Sequence, residues 1–326
     1  MNTMNTKKSS YLLVALSVVA VFMLVLAAGC IGNGTPAPSV PAISIAAGST
    51  TPVPQLTTGA PATTAVTVSS GKKQTIRISG STTVLPIVQK AADQFMINHP
   101  DADIQISGGG SGVGIQAIGA RTVDIGMSSR EVTKDEMARY PGFVVTTVAQ
   151  DGIAVIVNPA NEIQYITLDQ VKGIYLGTIT KWTQITGANI PGTNNQIVII
   201  GRDSASGTRT YFDETVLLRA TPVNRMLEKN SNGAVVQTVA QTPGSIGYVS
   251  IGFVGKDVKA LPIWYNAQKI VAPTIDNVKT RTYPVSRDLY IITNGQPGGL
   301  AGDFIRYILS PEGQKIVADE GYVTLS

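Results

Sequence analysis

The 326-residue chain holds one cysteine, one histidine and few charges, with 14% of its residues Asp, Glu, Lys or Arg. A single cysteine, Cys30, excludes a disulfide framework and every multi-cysteine zinc or iron–sulfur site, and a single histidine, His99, excludes a His-rich metal centre. No glycine run ends in Gly-Lys-Ser or Gly-Lys-Thr, so there is no P-loop. In the run GGGSGVG from Gly108, Val113 stands where a dinucleotide fingerprint needs Gly or Ala, and where a Gly-x-Ser-x-Gly nucleophile elbow needs Gly. His99 precedes Pro100 at an expected helix end, which makes it a surface residue, and no carboxylate cluster suggests a two-metal site. The balance of 25 Lys and Arg against 21 Asp and Glu gives a formal charge of +4. Lys7 and Lys8 precede a long apolar run, and without them the count is 23 against 21. A broad nucleic-acid-binding face is therefore not expected.

What is present begins with that apolar run. Residues 11–29 carry no charge and are long enough, at ~1.5 Å per residue, to cross ~30 Å of hydrocarbon. They end in Ala27-Ala28-Gly29-Cys30, which resembles a lipoprotein processing site and would make Cys30 the lipidated first residue of the mature protein. The alternative is an uncleaved N-terminal helix. Either reading assigns residues 1–30 to a signal or anchor and tethers the rest to the extracytoplasmic face of a membrane. Residues 31–71 contain no charged residue and are dominated by Thr, Ser, Pro, Ala and Gly, a composition that cannot bury a core, so they are expected to form a disordered stalk. Asn33-Gly34-Thr35 is a candidate glycosylation acceptor within it.

From residue 72 the pattern turns regular. Residues 75–79 (TIRIS) alternate, then Gly80-Ser81-Thr82-Thr83 leads into an amphipathic stretch at 85–98. Residues 103–107, the glycine run and 113–120 repeat the idea, and 123–127 followed by Ser128-Ser129-Arg130 repeats it again. Residues 144–157 read as two extended segments interrupted by Asp151-Gly152, a candidate crossing between domains. Further helices are expected near 167–176, 209–218, 233–242, 300–309 and 311–320, with strands at 196–201, 245–249 and 289–293. This alternation predicts an α/β fold with mainly parallel strands, which gathers ligands at the carboxyl ends of its strands.

Those ends carry the chemistry. Ser81, Thr82 and Thr83, then Ser111 in the glycine run, then Ser204-Ala205-Ser206-Gly207-Thr208 all stand where a strand enters a helix, so amides and hydroxyls converge on positive dipole ends suited to an anion. Arg202 and Arg209 flank the last cluster, and Arg130 follows the third strand; a guanidinium fork matches a tetrahedral oxyanion. Each feature alone has an ordinary explanation: hydroxyls cap helices, glycine loops flex, and surface arginines pair with carboxylates. Several helix termini of one composition are harder to explain that way.

The stretches ISGSTTVLPIVQKAADQF, ISGGGSGVGIQAI, VDIGMSSR, DGIAVIVNP, GRDSASGTRTYF, GSIGYVS and YPVSRDLYIIT together resemble the phosphate-specific periplasmic-type binding proteins, the solute-capturing lipoproteins of phosphate ABC importers. The resemblance implies a periplasmic-binding-protein type II-like fold of two α/β domains joined by two hinge strands, one of residues 72–150 plus 286–326 and one of 151–285. Between them a cleft would close on a dehydrated anion. It implies a phosphate site of Ser81, Thr82, Thr83, Ser111, Ser129, Arg202, Ser206, Gly207 and Thr208, with Arg130 supplying further charge. It also implies no catalysis and no cofactor or metal, with membrane permease subunits as partners of a monomer. The family pattern has Asp where this chain has Ser129, which removes a carboxylate that would repel sulfate. Sulfate or molybdate is accordingly an alternative ligand, and a surface phosphohydrolase is a more distant one.

Overall fold

A computed structural model of the chain describes residues 73–185, 190, 194–265 and 269–325. The expected anchor, Cys30, the stalk and its glycosylation acceptor lie outside the described residues. Among the described residues no helix is long and apolar enough to cross a membrane.

Strand β1 (Gln74–Gly80) leads to helix α1 (Leu85–Asn98), β2 (Ala102–Ser107) to α2 (Ser111–Gly119), and β3 (Ile125–Ser128) to the short α3 (Lys134–Arg139). Helix α1 starts where Pro86 presets φ, buries Ile87, Val88, Ala91, Ala92 and Phe95 along one stripe, and stops at His99 ahead of Pro100. His99 is exposed, its ring stacked on Phe95 at 3.9 Å between centroids. The chain then runs through β4 (Phe143–Val157), β5 (Ile166–Thr167), α4 (Leu168–Tyr175), β6 (Val198–Arg202), α5 (Gly207–Thr215), β7 (Leu227–Lys229), α6 (Asn232–Gln241) and β8 (Ser245–Ser250). It ends with β9 (Lys259–Leu261), β10 (Ile263–Tyr265), β11 (Lys269–Val271), α7 (Ile275–Lys279), β12 (Ser286–Asn294), α8 (Gly299–Leu309) and α9 (Pro311–Asp319).

The main sheet has the order β2-β1-β3-β12-β4-β8-β6-β7, with β9 also on β4, and a small sheet has the order β11-β10-β5. Parallel pairing holds in the two wings, β2-β1-β3 and β8-β6-β7, as the strand and helix alternation predicts. It fails at the centre, where β12 is antiparallel to both β3 and β4, and β4 is antiparallel to β8. The cause is β4, one 15-residue strand rather than two segments. Its Phe143–Gly152 portion pairs with β12 and its Ile153–Val157 portion with β8, so Asp151-Gly152 marks a change of partner rather than a break.

Two hydrophobic cores lie along this sheet. The first includes Ile78, Val88, Phe95, Met127, Ala149, Leu289 and Phe304, under α1, α8 and α9. The second includes Ile153, Tyr175, Trp182, Phe212, Tyr248 and Val285. Full burial of one such side chain contributes roughly 1.5–3 kcal/mol. The backbone passes from one core to the other between Ala149 and Ile153 in β4 and between Val285 and Leu289 at the start of β12, so two strands link two lobes.

Candidate anion-binding site

The first lobe brings three turns to one edge. Gly80, at φ +139°, lets β1 approach β3 so closely that a Cβ there would meet Met127 O at 2.3 Å. Ser81 Oγ then accepts from the amides of Thr83 (3.2 Å) and Val84 (3.4 Å), which fixes the turn into α1. Ser111 opens α2 after Gly110 at φ +97°, and its Oγ accepts from Ser129 N at 3.0 Å and lies 3.3 Å from Ser129 Oγ. Thus the second and third turns are bonded to each other.

The second lobe faces them with Arg202 at the end of β6 and with the start of α5. Ser206 caps α5, accepting from Arg209 N at 3.2 Å, and leaves Gly207 and Thr208 in the first helical turn, whose amides have no carbonyl within the helix to bond. Arg202 is 1% exposed. Its Nε donates to Lys229 O (3.1 Å) and its Nη2 to Asn230 O (3.2 Å), so backbone oxygens hold the guanidinium in place.

The lobes touch across the cleft at every one of these clusters. Arg202 Nη2 donates to Thr82 Oγ1 at 3.2 Å, Thr83 Oγ1 and Thr208 Oγ1 are 3.1 Å apart, and Gly112 N donates to Ala205 O at 3.0 Å. Gly207 is required by this closeness, because a Cβ on it would sit 2.2 Å from Ser111 Oγ and 2.9 Å from Ser129 Oγ. The structure therefore assembles Ser81, Thr82, Thr83, Ser111, Ser129, Arg202, Ser206, Gly207 and Thr208 in one place, from turns up to 127 positions apart in sequence.

Arg130 is the exception. Its guanidinium makes a bidentate pair with Glu136, at 2.7 and 2.8 Å, and also donates to Glu131 O. Glu136 stands at the third position of α3, where it completes a capping box with Thr133, and the arginine turns to that carboxylate instead of the cleft hydroxyls. Arg209 likewise pairs with Glu228 (2.6 Å) and Asp213 (3.4 Å).

In its stead the cleft holds Arg287, which the sequence reading does not single out. Arg287 on β12 is in register with Asp151 on β4, and its Nε and Nη2 donate to Asp151 Oδ2 at 3.0 and 2.7 Å. Its Nη1 donates to Ser129 O (2.8 Å), and Nη2 also reaches Thr208 Oγ1 (3.0 Å) and Thr83 Oγ1 (3.4 Å). Asp151 Oδ1 accepts from Ser250 Oγ at 2.7 Å, and Asn232, the first residue of α6, donates to Thr83 Oγ1 at 2.9 Å. The available signal was a lone carboxylate inside the apolar run 144–157 and an arginine opening the run 286–294, each costly to bury unless paired.

Burial pushes the Asp151 carboxyl upward, opposed by the Arg287 charge and by the Ser250 and Arg287 hydrogen bonds. Burial also pulls the Arg202 guanidinium down from its usual range, opposed by Asp203 and Tyr248. Arg202 Nη1 is buried and has no hydrogen-bond partner. An N–H of a guanidinium in that condition is a strong unfilled donor. The site thus offers two arginines, the N-termini of α2 and α5, and a shell of hydroxyls. Among the described residues no cluster of His, Cys, Asp or Glu is arranged to hold a metal ion.

These features are those of a two-lobed binding protein, and residues 59–312 match the family model of the PBP superfamily domain, to which the chain belongs. Its similarity to the PstS group is close. The phosphate-binding protein PstS of Bacillus subtilis is 36% identical over 253 residues, covering 77% of this chain and 81% of the relative. Among solved structures, one from Clostridium perfringens, described as a phosphate ABC transporter substrate-binding protein with bound phosphate, is 32% identical with a TM-score of 0.70, covering 78% of this chain and 100% of that one. An ABC-type phosphate transport receptor from Vibrio cholerae is 32% identical with a TM-score of 0.62, covering 76% and 99%.

Proposed function

We propose that the chain captures inorganic phosphate between its two lobes and delivers it to the permease of an ABC importer at the extracytoplasmic face of a membrane. The observation that carries this reading is Arg202: a buried guanidinium with one unpartnered nitrogen, set among cleft hydroxyls and beside the α5 N-terminus. The names of the relatives support phosphate as the ligand. Residues 73–150 with 286–325 act as one lobe and 151–285 as the other, and bending where β4 and β12 cross between the cores opens and shuts the cleft. The protein works as a monomer, tethered through Cys30 or the apolar segment before it, and carries out no catalysis.

Binding is by charge-assisted hydrogen bonds, each worth ~1.5–3 kcal/mol net, with dehydration of the anion offsetting part of the sum. A second reading, a broader tetrahedral oxyanion receptor, is favoured by Ser129, because the buried carboxylate Asp151 is taken up by Arg287 and Ser250 and none faces the ligand at position 129. Calorimetric titration of the detergent-purified full chain with phosphate, sulfate and molybdate separates the two. Phosphate as the tightest ligand supports the first reading, and absence of binding by all three removes both.

A further inference from the structure

The second lobe carries another concavity, built from residues the anion cleft does not use. Past Val157, the end of β4 remote from the crossing at Ile153, residues 162–165 lead into β5 and α4. With β10 and the turn at Ile185 they line a cavity of about 490 Å³, within the ~300–1,000 Å³ usual for small-molecule sites. Its lining includes Glu162, Gln164, Tyr165, Gln170, Ile185 and Trp264. Tyr165 and Trp264 are 40% and 39% exposed, and their rings meet edge to face, 5.4 Å between centroids at 90°. Stacked rings would hide a face of each, whereas this pair forms a corner with apolar ring surface open to a guest. Trp264 also pairs across the strands with the exposed Ile270, so the apolar surface continues onto β11.

The polar groups beside that corner are fixed in kind. A carboxamide has a donating and an accepting edge, and the bond it makes with the protein decides which edge is left over. Gln170 Oε1 accepts from Thr167 N at 2.9 Å in the capping box of α4, so its Nε2 is left to donate. Gln164 Nε2 donates to Glu162 O at 2.6 Å, so its Oε1 is left to accept. The Glu162 carboxylate, the one charge in the lining, accepts as well. That negative charge disfavours an anion. A quaternary ammonium suits the carboxylate and the rings but has nothing to accept the Gln170 proton. A proline-rich peptide brings carbonyl acceptors and apolar rings but few donors for Gln164 and Glu162.

A pyranose supplies all that is missing: hydroxyls that both donate and accept, arranged around an apolar ring face. We propose that this concavity binds a neutral saccharide, with a sugar ring against Trp264 and Tyr165 and hydroxyls that accept from Gln170 and donate to Gln164 and Glu162. The site is separate from the anion cleft, and its occupation does not depend on which oxyanion the cleft takes.

The chain has two tryptophans, and Trp182 is fully buried, so acrylamide quenching of the intrinsic fluorescence reads Trp264. The test is that quenching on the full chain, purified in a polyoxyethylene detergent that carries no sugar headgroup, with maltose, cellobiose, lactose, mannobiose and diacetylchitobiose added in turn. Dissociation constants of about 1 mM suit a sugar in an open site, and at saturation at least one of these sugars is expected to lower the quenching constant at least about twofold. Saturation-transfer NMR with that sugar then reads the variants. Trp264→Ala is expected to abolish the signal. Gln170→Glu keeps the acceptor for Thr167 N but turns the remaining donor into an acceptor, and it is expected to weaken sugar binding at least about fivefold. Phosphate affinity should stay within about twofold of wild type in both variants, since neither residue belongs to the anion site. Failure of every sugar to protect Trp264 overturns the inference, including a case where tetramethylammonium or a proline-rich peptide protects it instead. Sugar binding that survives Trp264→Ala also overturns it. Sugar binding by a chain that binds no phosphate removes the function proposed above and upholds this site, so the two failures are distinct.

Discussion

Arg130, just past the end of β3, and Arg287, on the adjacent strand β12, stand at the same end of the first lobe, yet only Arg287 bonds to the cleft hydroxyls. Arg130 follows the carboxyl end of β3, the position where a parallel α/β sheet gathers its ligands. Its side chain is 12% exposed and is bound to Glu136. Arg287 is at the opposite end of its own strand, but β12 runs antiparallel to β3, with Tyr290 opposite Ser128, and so begins where β3 finishes. Its side chain is 1% exposed, and its carboxylate partner, Asp151, is fully buried. A strand of reversed direction brings its start to the ligand edge, and local context then decides which arginine is free to work there. Arg130 has a competing carboxylate in the short helix that follows it, whereas Arg287 has one on the hinge strand that aims it inward.

Three substitutions sharpen this contrast. The largest effect is expected from Arg287→Ala, which leaves Asp151 buried without its cation; loss of one partner of such a pair destabilises by about 3–5 kcal/mol. The measurement is chemical denaturation at neutral pH, and replacing both residues by Leu should recover most of the stability without recovering phosphate affinity. Recovery of both would make the pair purely structural. Next comes Arg202→Ala, expected to weaken phosphate binding by at least about tenfold, since a charge-assisted bond lost in a closed cleft exceeds 1.4 kcal/mol. Calorimetry at unchanged folding stability checks it. Arg130→Ala should do least: affinity within about twofold of wild type and a stability loss of about 0–1 kcal/mol, as for other pairs near the surface. A tenfold loss of affinity there would return Arg130 to the ligand.

Much of this was legible in the sequence because it is local. Ser81, Ser111 and Ser206 act on amides or turns within reach of their own strand and helix junctions, and short patterns of Gly, Ser and Thr encode such junctions directly. Helices α1, α2, α4, α5, α6, α8 and α9 followed from periodicity and caps, with Pro86, Ser206 and Pro311 at three of their starts, whereas the five-residue α7 was not anticipated. The short strands β5, β7, β9, β10 and β11, of two or three residues each, gave no alternation long enough to read. The antiparallel centre was illegible for another reason: it depends on β4 and β12 pairing over a separation of more than a hundred residues. Arg287, Asp151 and Asn232 owe their roles to that pairing and to the meeting of lobes. Arg130 stands where the sequence suggests a ligand, but Glu136 reaches its guanidinium only through the direction its side chain takes from the short helix α3, which the sequence does not show.

If an oxyanion is held between the lobes by buried cations and helix termini, Arg130 beside them, paired with Glu136, takes no part. The most direct test is the phosphate dissociation constant of Arg202→Ala set against that of Arg130→Ala, measured by calorimetry on the full chain under one buffer condition. A loss of at least about tenfold is expected for the first and of about twofold or less for the second. Equal affinities in the two variants, or a greater loss in Arg130→Ala, would contradict it.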